Sequence, residues 1–276
     1  MIEIPEALAL ADQMNRTVQG KRIARVEVLR SPHKFAWFQG DPLAYPDLLT
    51  GQTVGPARGF GSTLEFAAGS ARLAVSEGAT WKYHADKGDV PAKHQLLLEF
   101  ADGSALSLSV RMYGGILCFS AGGAENEYYL MAEKALPPLS AEFDWAHFEG
   151  LAAAVDPAKI SLKAFLATEQ RIPGLGNGCL QDILYNARLN PKRKLGQISA
   201  DDLRHLYQVV KDTLADMTAR GGRDTEPDLF GQPGGYQTRC SKNTVDTPCG
   251  NCGTPIVKQA YMGGSVYFCP TCQPLD

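Results

Sequence analysis

Two pairs of cysteines near the C-terminal end constrain this chain more than any other feature of its sequence. Each pair has the spacing Cys-x2-Cys, and sixteen residues separate Cys249 and Cys252 from Cys269 and Cys272. Each pair places two thiolates on one tight turn, and four thiolates suit tetrahedral Zn²⁺. Because protein sulfur fills all four positions, we expect a structural zinc ion with no open position for catalysis. The alternative is four unrelated buried cysteines.

The residues between the two cysteine pairs predict a β-hairpin. β-Prone runs occur at residues 253–258 and 266–268, and Gly263 and Gly264 supply a tight turn between them. The chain would therefore close with a zinc-stapled hairpin. Three further cysteines stand alone, and we expect them to be small buried hydrophobic residues: Cys118, Cys179 and Cys240.

Composition excludes several classes of protein. A hydrophobic fraction of 44% with 21% charged residues over 276 residues is ordinary for a chain with a packed core, which excludes dominant disorder. No apolar run approaches the roughly 18 residues of a membrane span. Acidic residues at Glu3 and Glu6 argue against a signal peptide. Seven cysteines, an odd number, without a secretion signal predict a reducing, cytoplasmic location.

Charge is distributed unevenly along the chain. The formal net charge is −3, but residues 1–158 carry −6 and residues 159–276 carry +3. Such polarity between the halves hints at divided roles, with an anionic partner bound by the C-terminal half. The alternative is ordinary variation of surface charge.

The N-terminal half predicts one helix followed by many short strands. Apolar residues at helical spacing, with Pro5 in the first turn and Gly20 past the end, predict a helix over residues 5–20. Short β-prone runs separated by turn residues then predict a β-sandwich or barrel. The predicted strands are residues 23–29, 63–66, 71–75, 95–100, 104–110 and 115–119. The aromatic, proline-bounded residues 31–42 are expected to form an ordered loop.

The C-terminal half predicts mainly helices, so the fold class is α+β. Predicted helices cover residues 141–155, 161–169, 179–189 and 201–220, with Ser161 as an N-cap of the second. Residues 224–242 are rich in Gly, Pro and polar residues and link the helices to the zinc module. The predicted domains are an N-terminal helix and β-sandwich (1–135), a helical domain (136–242) and a zinc finger (243–276).

A tight turn between two predicted helices has the features of an anion site. Gly174 and Gly176 let the backbone approach a ligand closely, and Asn177 is a favoured N-cap for the next helix. A helix N-terminus attracts anions, and Lys163 in the preceding helix can add a positive charge. The alternative is an ordinary helix–helix connection.

Four short segments follow one another in a characteristic order. They are Glu3-Ile-Pro-Glu6, then Arg111-Met-Tyr-Gly114, then Lys163 with Gly174-Leu-Gly-Asn177, and the zinc-finger residues 253–273. In this order they resemble the formamidopyrimidine-DNA glycosylase / endonuclease VIII family, and the last two matches are the specific ones. The resemblance implies a β-sandwich with a leading helix, a helix–two-turn–helix domain and a C-terminal zinc-finger β-hairpin.

The resemblance implies base-excision repair of damaged double-stranded DNA. Family members bind the duplex in a cleft between the β-sandwich and the helical, zinc-bearing domain. They extrude the damaged base, because its glycosidic carbon is unreachable inside the base stack. An N-terminal proline amine attacks that carbon with help from the next, acidic residue, and the resulting Schiff base leads to strand cleavage by AP lyase chemistry. We expect a monomer that associates with the nucleoid and with no membrane.

The N-terminus departs from the family pattern. The nucleophilic proline aligns with Ile2, while Glu3 keeps the position of the assisting acid. A bulky second residue is expected to hinder removal of Met1, which places the free amine one residue away. A primary amine still forms a Schiff base, but a displacement of a few Å costs orders of magnitude in rate. Glu6 is either a further acid of the site or a favourable charge near a helix N-terminus.

Several cations that the family uses on DNA are missing. Phe60 or Gly61 replaces a phosphate-binding lysine, Met112 replaces an arginine, and Gly264 lies where a zinc-finger arginine reaches the DNA. The loss of cations predicts weaker DNA affinity. Tyr113 either wedges into the duplex, as the family's Phe does, or is a core aromatic. The residues that we expect to contact DNA are Lys163, Gly176, Asn177, Arg111, Met112 and Tyr113.

Substitutes and other functions remain open. Lys34 is an alternative amine, and His33 and His94 are alternative bases or structural residues. The basic run at residues 192–194 either contacts phosphates or forms a solvated face. We favour a glycosylase that uses a shifted amine, or water assisted by Glu3. The alternatives are a catalytically inactive lesion- or structure-specific DNA-binding protein, and a zinc-ribbon interaction module on an unrelated β domain.

Overall fold

The computed structural model describes residues 1–275, which form two compact units. The first unit combines Met1–Lys134 with the later segment Glu226–Gly234. The second combines Ala135–Thr225 with the chain from Gly235 onward. The predicted division into three domains stays a prediction. Among the described residues, no helix has the length and apolar character that a bilayer crossing requires.

Unit one begins with helix α1 (Ile4–Thr17), whose N-cap is Glu3. The predicted helix extended to Gly20, but the regular helix ends earlier and Gly20 has a left-handed φ of 86°. The buried face of α1 lies directly on a strand at Gly59. A Cβ atom at Gly59 would come within 2.4 Å of the carbonyl oxygen of Ala7, so only glycine allows this close approach.

Nine strands of unit one form two sheets that enclose a common core, which confirms the predicted sandwich. The strands are β1 (Ile23–Val28), β2 (Ala36–Gln39), β3 (Val54–Phe60), β4 (Thr63–Ala68), β5 (Ala71–Ser76), β6 (Ala79–His84), β7 (Leu96–Phe100), β8 (Ala105–Val110) and β9 (Gly114–Ser120). One sheet has the order β1-β7-β8-β6 and the other β2-β9-β5-β4-β3, with β2 parallel to β9. Leu64, Trp81 and Leu98 are buried in the shared core.

Three strands of the sandwich differ from the sequence prediction. The predicted loop at residues 31–42 contains β2, because backbone pairing with β9 makes this aromatic stretch the edge of a sheet. Strand β3 was not predicted, since its Gly55, Pro56 and Gly59 disfavour strands when read locally. Strand β6 was also missed; it pairs with β8 along its whole length.

Two short helices flank the sandwich. Helix α2 (Tyr45–Leu49) follows β2, and its Tyr45 hydroxyl oxygen lies 2.9 Å from the carbonyl oxygens of both Gln39 and Ile116, either of which can accept its one proton. Helix α3 (Glu127–Lys134) buries Tyr129 among residues of the five-stranded sheet. Neither helix was predicted from sequence, because each is too short to show a clear apolar period.

Unit two contains four helices near their predicted positions: α4 (Trp145–Ala153), α5 (Leu162–Ala167), α6 (Asn177–Asn186) and α7 (Ala200–Ala219). Helix α4 is shorter than predicted because the Asp144 carboxylate accepts the His147 N–H at 2.9 Å and starts the helix there. Ser161 caps α5 as predicted, accepting from the Ala164 N–H at 3.3 Å. The predicted cap Asn177 is instead the first helical residue, and Gly176 holds the cap position.

The predicted hairpin closes unit two. Strands β10 (Val257–Tyr261) and β11 (Gly264–Phe268) pair in antiparallel register, with Tyr261 opposite Gly264. The turn is one residue earlier than predicted: its two residues are Met262 and Gly263 instead of Gly263 and Gly264, because Gly264 already pairs with Tyr261. Both turn residues have positive φ values, of 49° and 70°. This matches the two-residue hairpin turn whose twist suits neighbouring strands.

Candidate functional site

The first two residues of unit one, Met1 and Ile2, are both fixed by contacts with other parts of the unit. The Ile2 N–H donates to the Glu77 carbonyl oxygen at 2.7 Å, and the Ile2 side chain belongs to the sandwich core. The amino nitrogen of Met1 forms an ion pair with the carboxylate of Glu226. The position aligned with the family's proline is therefore packed and hydrogen-bonded, while the amine lies one residue away.

Two buried acids follow at the start of α1. Glu3 is 3% exposed and Glu6 is 4% exposed. The Glu6 carboxylate accepts the Glu3 backbone N–H at 3.1 Å, so Glu6 helps to cap the helix. This contact favours the interpretation of Glu6 as an acid that stabilises the helix N-terminus. Glu3 remains beside the N-terminus, in the position expected for an assisting acid.

Sequence reasoning missed a third carboxylate at this location, Glu77. It lies in the turn between β5 and β6 with a left-handed φ of 59°, which is rare for a residue other than glycine. Burial raises the pKa of the Glu77 carboxyl. The only local signal was an acid followed by Gly78 shortly after a predicted strand.

Tyr113 lies beside these carboxylates. Burial, followed by the negative charges of Glu77 and Glu3, raises the pKa of the Tyr113 phenol. The Gly78 N–H donates to the Tyr113 carbonyl oxygen at 3.0 Å. A Cβ atom at Gly78 would come within 2.4 Å of that oxygen, so glycine is required for this approach. Glu3, Glu77 and Tyr113 therefore form one cluster of titratable groups.

The turn between β8 and β9 presents its side chains to solvent. Met112 is 59% exposed and Tyr113 is 37% exposed. Arg111 is also exposed, and its backbone N–H donates to the Gly78 carbonyl oxygen at 3.1 Å. The exposure of Tyr113 contradicts its interpretation as a core aromatic. These three residues are available to an external ligand.

In unit two, side chains of α5 and α6 bond to the hairpin. Lys163 is 5% exposed, and its Nζ donates to the Tyr261 carbonyl oxygen at 2.7 Å. Burial lowers the pKa of the Lys163 ammonium. The Asn177 Nδ2 donates to the Ser265 carbonyl oxygen at 3.0 Å. The predicted turn-and-helix site is thus joined directly to the zinc module.

Gln181 makes a second connection between α6 and the hairpin. Its Nε2 donates to the Ser265 carbonyl oxygen at 3.2 Å, and its Oε1 accepts from the Tyr267 N–H at 3.0 Å. Gln181 was not predicted, because one buried glutamine on an apolar helix face carries no local signal. Together with Asn177 it fixes the start of α6 against β11.

The four cysteine sulfur atoms lie within 4.8 Å of one another. The Sγ atoms of Cys249 and Cys272 are 3.8 Å apart, and those of Cys252 and Cys269 are 3.4 Å apart. Zn–S bonds of about 2.3 Å in a tetrahedron place sulfur atoms about 3.8 Å apart, so these residues fit a zinc ion. The predicted four-sulfur metal site is therefore confirmed in its geometry. The other three cysteines are buried, as expected.

The alternative site residues make local contacts. The His94 Nδ1 lies 2.9 Å from the Pro91 carbonyl oxygen and the ring is buried, which favours a structural role. The His33 Nδ1 accepts from the Phe35 N–H at 3.2 Å. The Lys34 Nζ lies 5.3 Å from the centre of the Phe35 ring. Nothing in these contacts joins them to the Glu3 cluster.

The basic run of unit two contacts its own unit. Lys192 bonds to Gln259, and the Lys194 Nζ donates to the Lys159 carbonyl oxygen at 2.7 Å. Between them, Arg193 donates to the Pro274 carbonyl oxygen at 2.9 Å. Residues 192–194 therefore form hydrogen bonds within unit two, in addition to carrying positive charge.

Comparison with known proteins finds relatives over the whole chain, although no family model matches it. A formamidopyrimidine-DNA glycosylase of Salinispora arenicola is 30% identical over 283 residues, covering 99% of this chain and 96% of the relative. One of Cytobacillus firmus is 27% identical over 285 residues, covering 99% of this chain and 100% of the relative.

Solved structures share the fold. The MutM (Fpg) protein of Thermus thermophilus superposes with a TM-score of 0.80 at 24% identity, covering 99% of both chains. The Lactococcus lactis Fpg, solved with DNA containing an abasic site, gives a TM-score of 0.82 at 22% identity, covering 98% of this chain and 99% of that one.

These relatives contradict the interpretation of the β region as an unrelated domain, because they cover the β-sandwich as well as the zinc module. The resemblance seen in four short segments thus extends across the chain. On the evidence of 30% identity across nearly the full length of both sequences, this chain belongs to the formamidopyrimidine-DNA glycosylase family.

Proposed function

We propose that this protein excises a damaged base from duplex DNA, as a DNA glycosylase of base-excision repair. The observation that carries the proposal is the cluster of Glu3, Glu77 and Tyr113 beside the N-terminus. One buried acid, a second acid in a strained backbone conformation and a phenol of raised pKa are typical of a catalytic site. The family relationship suggests the reaction that this cluster would catalyse, which is excision of a damaged base.

In this proposal Glu3 is the acid–base residue. A carboxylate near the glycosidic carbon can take a proton from an attacking water, or assist an amine that attacks the same carbon. Met1 supplies the candidate amine, since the nitrogen of Ile2 is a backbone amide whose N–H donates to the Glu77 carbonyl oxygen. Strand cleavage by AP lyase chemistry requires the amine route.

The DNA contacts are proposed on both units. Lys163, Gly176 and Asn177 would bind phosphates beside the hairpin, and zinc, when bound, would keep the hairpin folded. On unit one, Met112 and Tyr113 would fill the gap left by the extruded base, because exposed apolar side chains can insert between base steps. Arg111 in the same turn would contact the DNA with its charge. An enzyme that acts on damaged DNA would work at the nucleoid.

A second candidate function is a lesion- or structure-specific DNA-binding protein without catalysis. The observation in its favour is Ile2, which fills the nucleophile position with a buried side chain. A further observation concerns Arg58, which precedes the position of the missing phosphate-binding lysine. It forms ion pairs with Glu65 and Glu133, so its charge is already compensated within unit one. Both functions use the same binding surfaces and differ in turnover.

The test is a panel of duplexes carrying oxidised, alkylated or abasic sites, assayed for base release and for a covalent adduct trapped by borohydride. We expect release from at least one duplex, with a loss of about 100-fold or more in Glu3→Gln. Glu125→Gln, which neutralises an exposed carboxylate of the same unit, should keep wild-type activity.

The panel also separates the alternatives. Lesion-dependent binding without release or adduct would support the binding protein and contradict the enzyme. Absence of both lesion-dependent binding and release would contradict the two functions together. Thermal unfolding of each variant shows whether a loss reflects chemistry or stability.

A further inference from the structure

The segment that carries Lys192 is bonded to the start of α5. The Lys163 N–H donates to the Pro191 carbonyl oxygen at 3.0 Å. The Leu162 N–H donates to the Arg193 carbonyl oxygen at 2.9 Å. Lys192 stands between these two acceptors in the sequence. The backbones of Lys163 and Lys192 are therefore held side by side, and the two side chains start from neighbouring points of unit two.

One face of strand β10 receives the Lys192 side chain. Alternate residues of a strand lie on the same face, so Gln259 and Tyr261 share one face and Lys258 lies on the other. The Lys192 Nζ donates to the side-chain carbonyl of Gln259 and lies 5.6 Å from the centre of the Tyr261 ring. One polar and one aromatic contact thus hold Lys192 against the hairpin.

The Tyr261 ring is shared by a second cation. The Lys163 Nζ lies 5.8 Å from the centre of the same ring, in addition to its hydrogen bond of 2.7 Å to the Tyr261 carbonyl oxygen. An aromatic ring attracts ammonium groups, and an ammonium has three N–H donors, so one hydrogen bond to the protein leaves donors for a further acceptor. Lys163 and Lys192 therefore concentrate positive charge around one side chain.

The hairpin turn beside this ring carries no cation of its own. Residues 259–268 contain no lysine or arginine. Residues 260–264 line an open depression of about 490 Å³. A Cβ atom at Gly264 would lie 3.5 Å from the Lys163 Nζ, which places that ammonium group at the edge of the depression. Positive charge thus reaches this surface from neighbouring segments, through Lys163 and Lys192.

We propose that Lys192 is a further phosphate-binding residue for DNA, and that the Tyr261 ring positions it together with Lys163 beside the hairpin turn. This inference rests on the proposed function, which assigns DNA phosphates to Lys163. Phosphates follow one another closely along a strand, so two ammonium groups beside one ring can bind the same phosphate or two neighbouring ones. A lysine loses rotamer freedom when it binds, and a ring that already holds the ammonium reduces that loss.

The first test measures how DNA binding depends on salt. The full-length, zinc-loaded protein is titrated with a fluorescent duplex that carries an abasic-site analogue, at several salt concentrations. In Lys192→Met we expect the slope of log Kd against log salt to be smaller by about one. Lys258→Met is the matched control, because it removes an exposed lysine from the opposite face of the same strand, and its slope should change less.

Equal slopes in Lys192→Met and Lys258→Met would overturn the proposal and leave Lys192 with the role of bracing the hairpin. Thermal unfolding and zinc content show whether a variant is folded. If Lys192→Met is unstable, Lys192→Gln removes the charge while keeping a donor for Gln259, and the same decrease in slope is expected.

The second test addresses the Tyr261 ring. Tyr261→Phe keeps the ring and should bind the duplex as wild type does, whereas Tyr261→Leu should bind about fivefold more weakly. In a protein that also carries Lys163→Met and Lys192→Met, Tyr261→Leu should change Kd by less than about twofold, because no ammonium group remains at the ring. An equal loss in both backgrounds would overturn the positioning role of Tyr261.

The same proteins separate this inference from the proposed function. If wild type binds the duplex with a slope that depends on Lys192 but releases no base from any lesion, the proposed enzyme fails and the phosphate role of Lys192 is supported. If wild type releases base while Lys192→Met keeps the wild-type slope, the inference fails and the proposed function is supported.

Discussion

The side-chain amide of Asn177 donates a hydrogen bond of 3.0 Å to the carbonyl oxygen of Ser265. This bond joins the first residue of α6 to β11, the second strand of the zinc hairpin. Gln181 reinforces it with bonds to Ser265 and Tyr267. The helix that begins at the tight turn therefore depends on a hairpin that the cysteine site holds together.

Removal of the metal should loosen the start of α6. A hairpin of two strands is marginal by itself, and without zinc its carbonyl groups no longer offer a fixed partner to Asn177 and Gln181. We expect faster amide hydrogen exchange at residues 177–181 after chelation. Strands β7 and β8 of unit one serve as the internal control, and equal acceleration there would contradict a local effect.

The hydroxyl of Tyr185 lies 3.2 Å from the Cys249 sulfur and should stabilise it as a thiolate ligand. Partners of metal ligands typically contribute 10- to 100-fold to metal affinity. Tyr185→Phe should therefore weaken zinc binding by about tenfold, measured by competition with a chromogenic chelator. Tyr207→Phe is the control, because that hydroxyl bonds to the Phe143 carbonyl oxygen instead. Equal affinity in the two variants would show that the contact is inert.

Lys163 should contribute one cation to DNA binding. Its Nζ lies beside the hairpin turn, 2.7 Å from the Tyr261 carbonyl oxygen. Lys163→Met keeps the length of the side chain but removes its charge, so log Kd should depend on log salt with a slope smaller by about one. Titration of duplex DNA at several salt concentrations measures this slope.

Lys194→Met is the matched control for Lys163→Met. The Lys194 Nζ also donates to a backbone carbonyl, that of Lys159, and this contact favours a structural role for Lys194 over the phosphate contact that the sequence left open for residues 192–194. Its removal should change the slope less. If the two variants show the same slope, the phosphate role of Lys163 is wrong.

The stability of unit two should vary with pH through Asp182. Burial raises the pKa of this carboxyl to about 6, against an ordinary value near 3.8, although the N–H groups of Arg239 and Cys240 donate to it. Between about pH 4 and 6 the folded chain keeps a proton that the unfolded chain has released. The free energy of unfolding should therefore fall as pH rises through this window, by up to about 3 kcal/mol.

Urea unfolding from pH 4 to 7 measures the contribution of Asp182. Asp182→Asn should be less stable overall, because an amide offers one acceptor where the carboxylate offers two, but its decline between pH 4 and 6 should be shallower. Asp202 should contribute to the free energy of unfolding with the opposite pH dependence, which Asp202→Asn would remove. The hydroxyl and N–H of Ser199 lower the pKa of Asp202, so its contribution is lost as pH falls. If the free energy of unfolding of Asp182→Asn falls between pH 4 and 6 as steeply as that of wild type, Asp182 is not the group responsible.

Local chemistry made much of the fold predictable. The metal site follows from the spacing of Cys249, Cys252, Cys269 and Cys272, because two ligands on one turn are set by neighbouring residues. The hairpin turn and the Ser161 cap are likewise decided within a few residues. Strand β3 was missed because its glycines and proline disfavour a strand locally, while pairing with β4 overrides that preference.

For the candidate site as well, some residues could be predicted from the sequence and others could not. The sequence by itself determined the family, the four zinc ligands, the replacement of the N-terminal proline by Ile2 and the retained Glu3. Only the tertiary structure decided that Glu77 joins Glu3 and Tyr113, that Gln181 locks α6 to the hairpin, and that Glu226 pairs with Met1. Glu226 and Met1 are 225 residues apart, and packing of Leu229 into the sandwich core brings them together. Motif spacing reports geometry over a few residues, whereas such contacts arise from the burial of a distant segment.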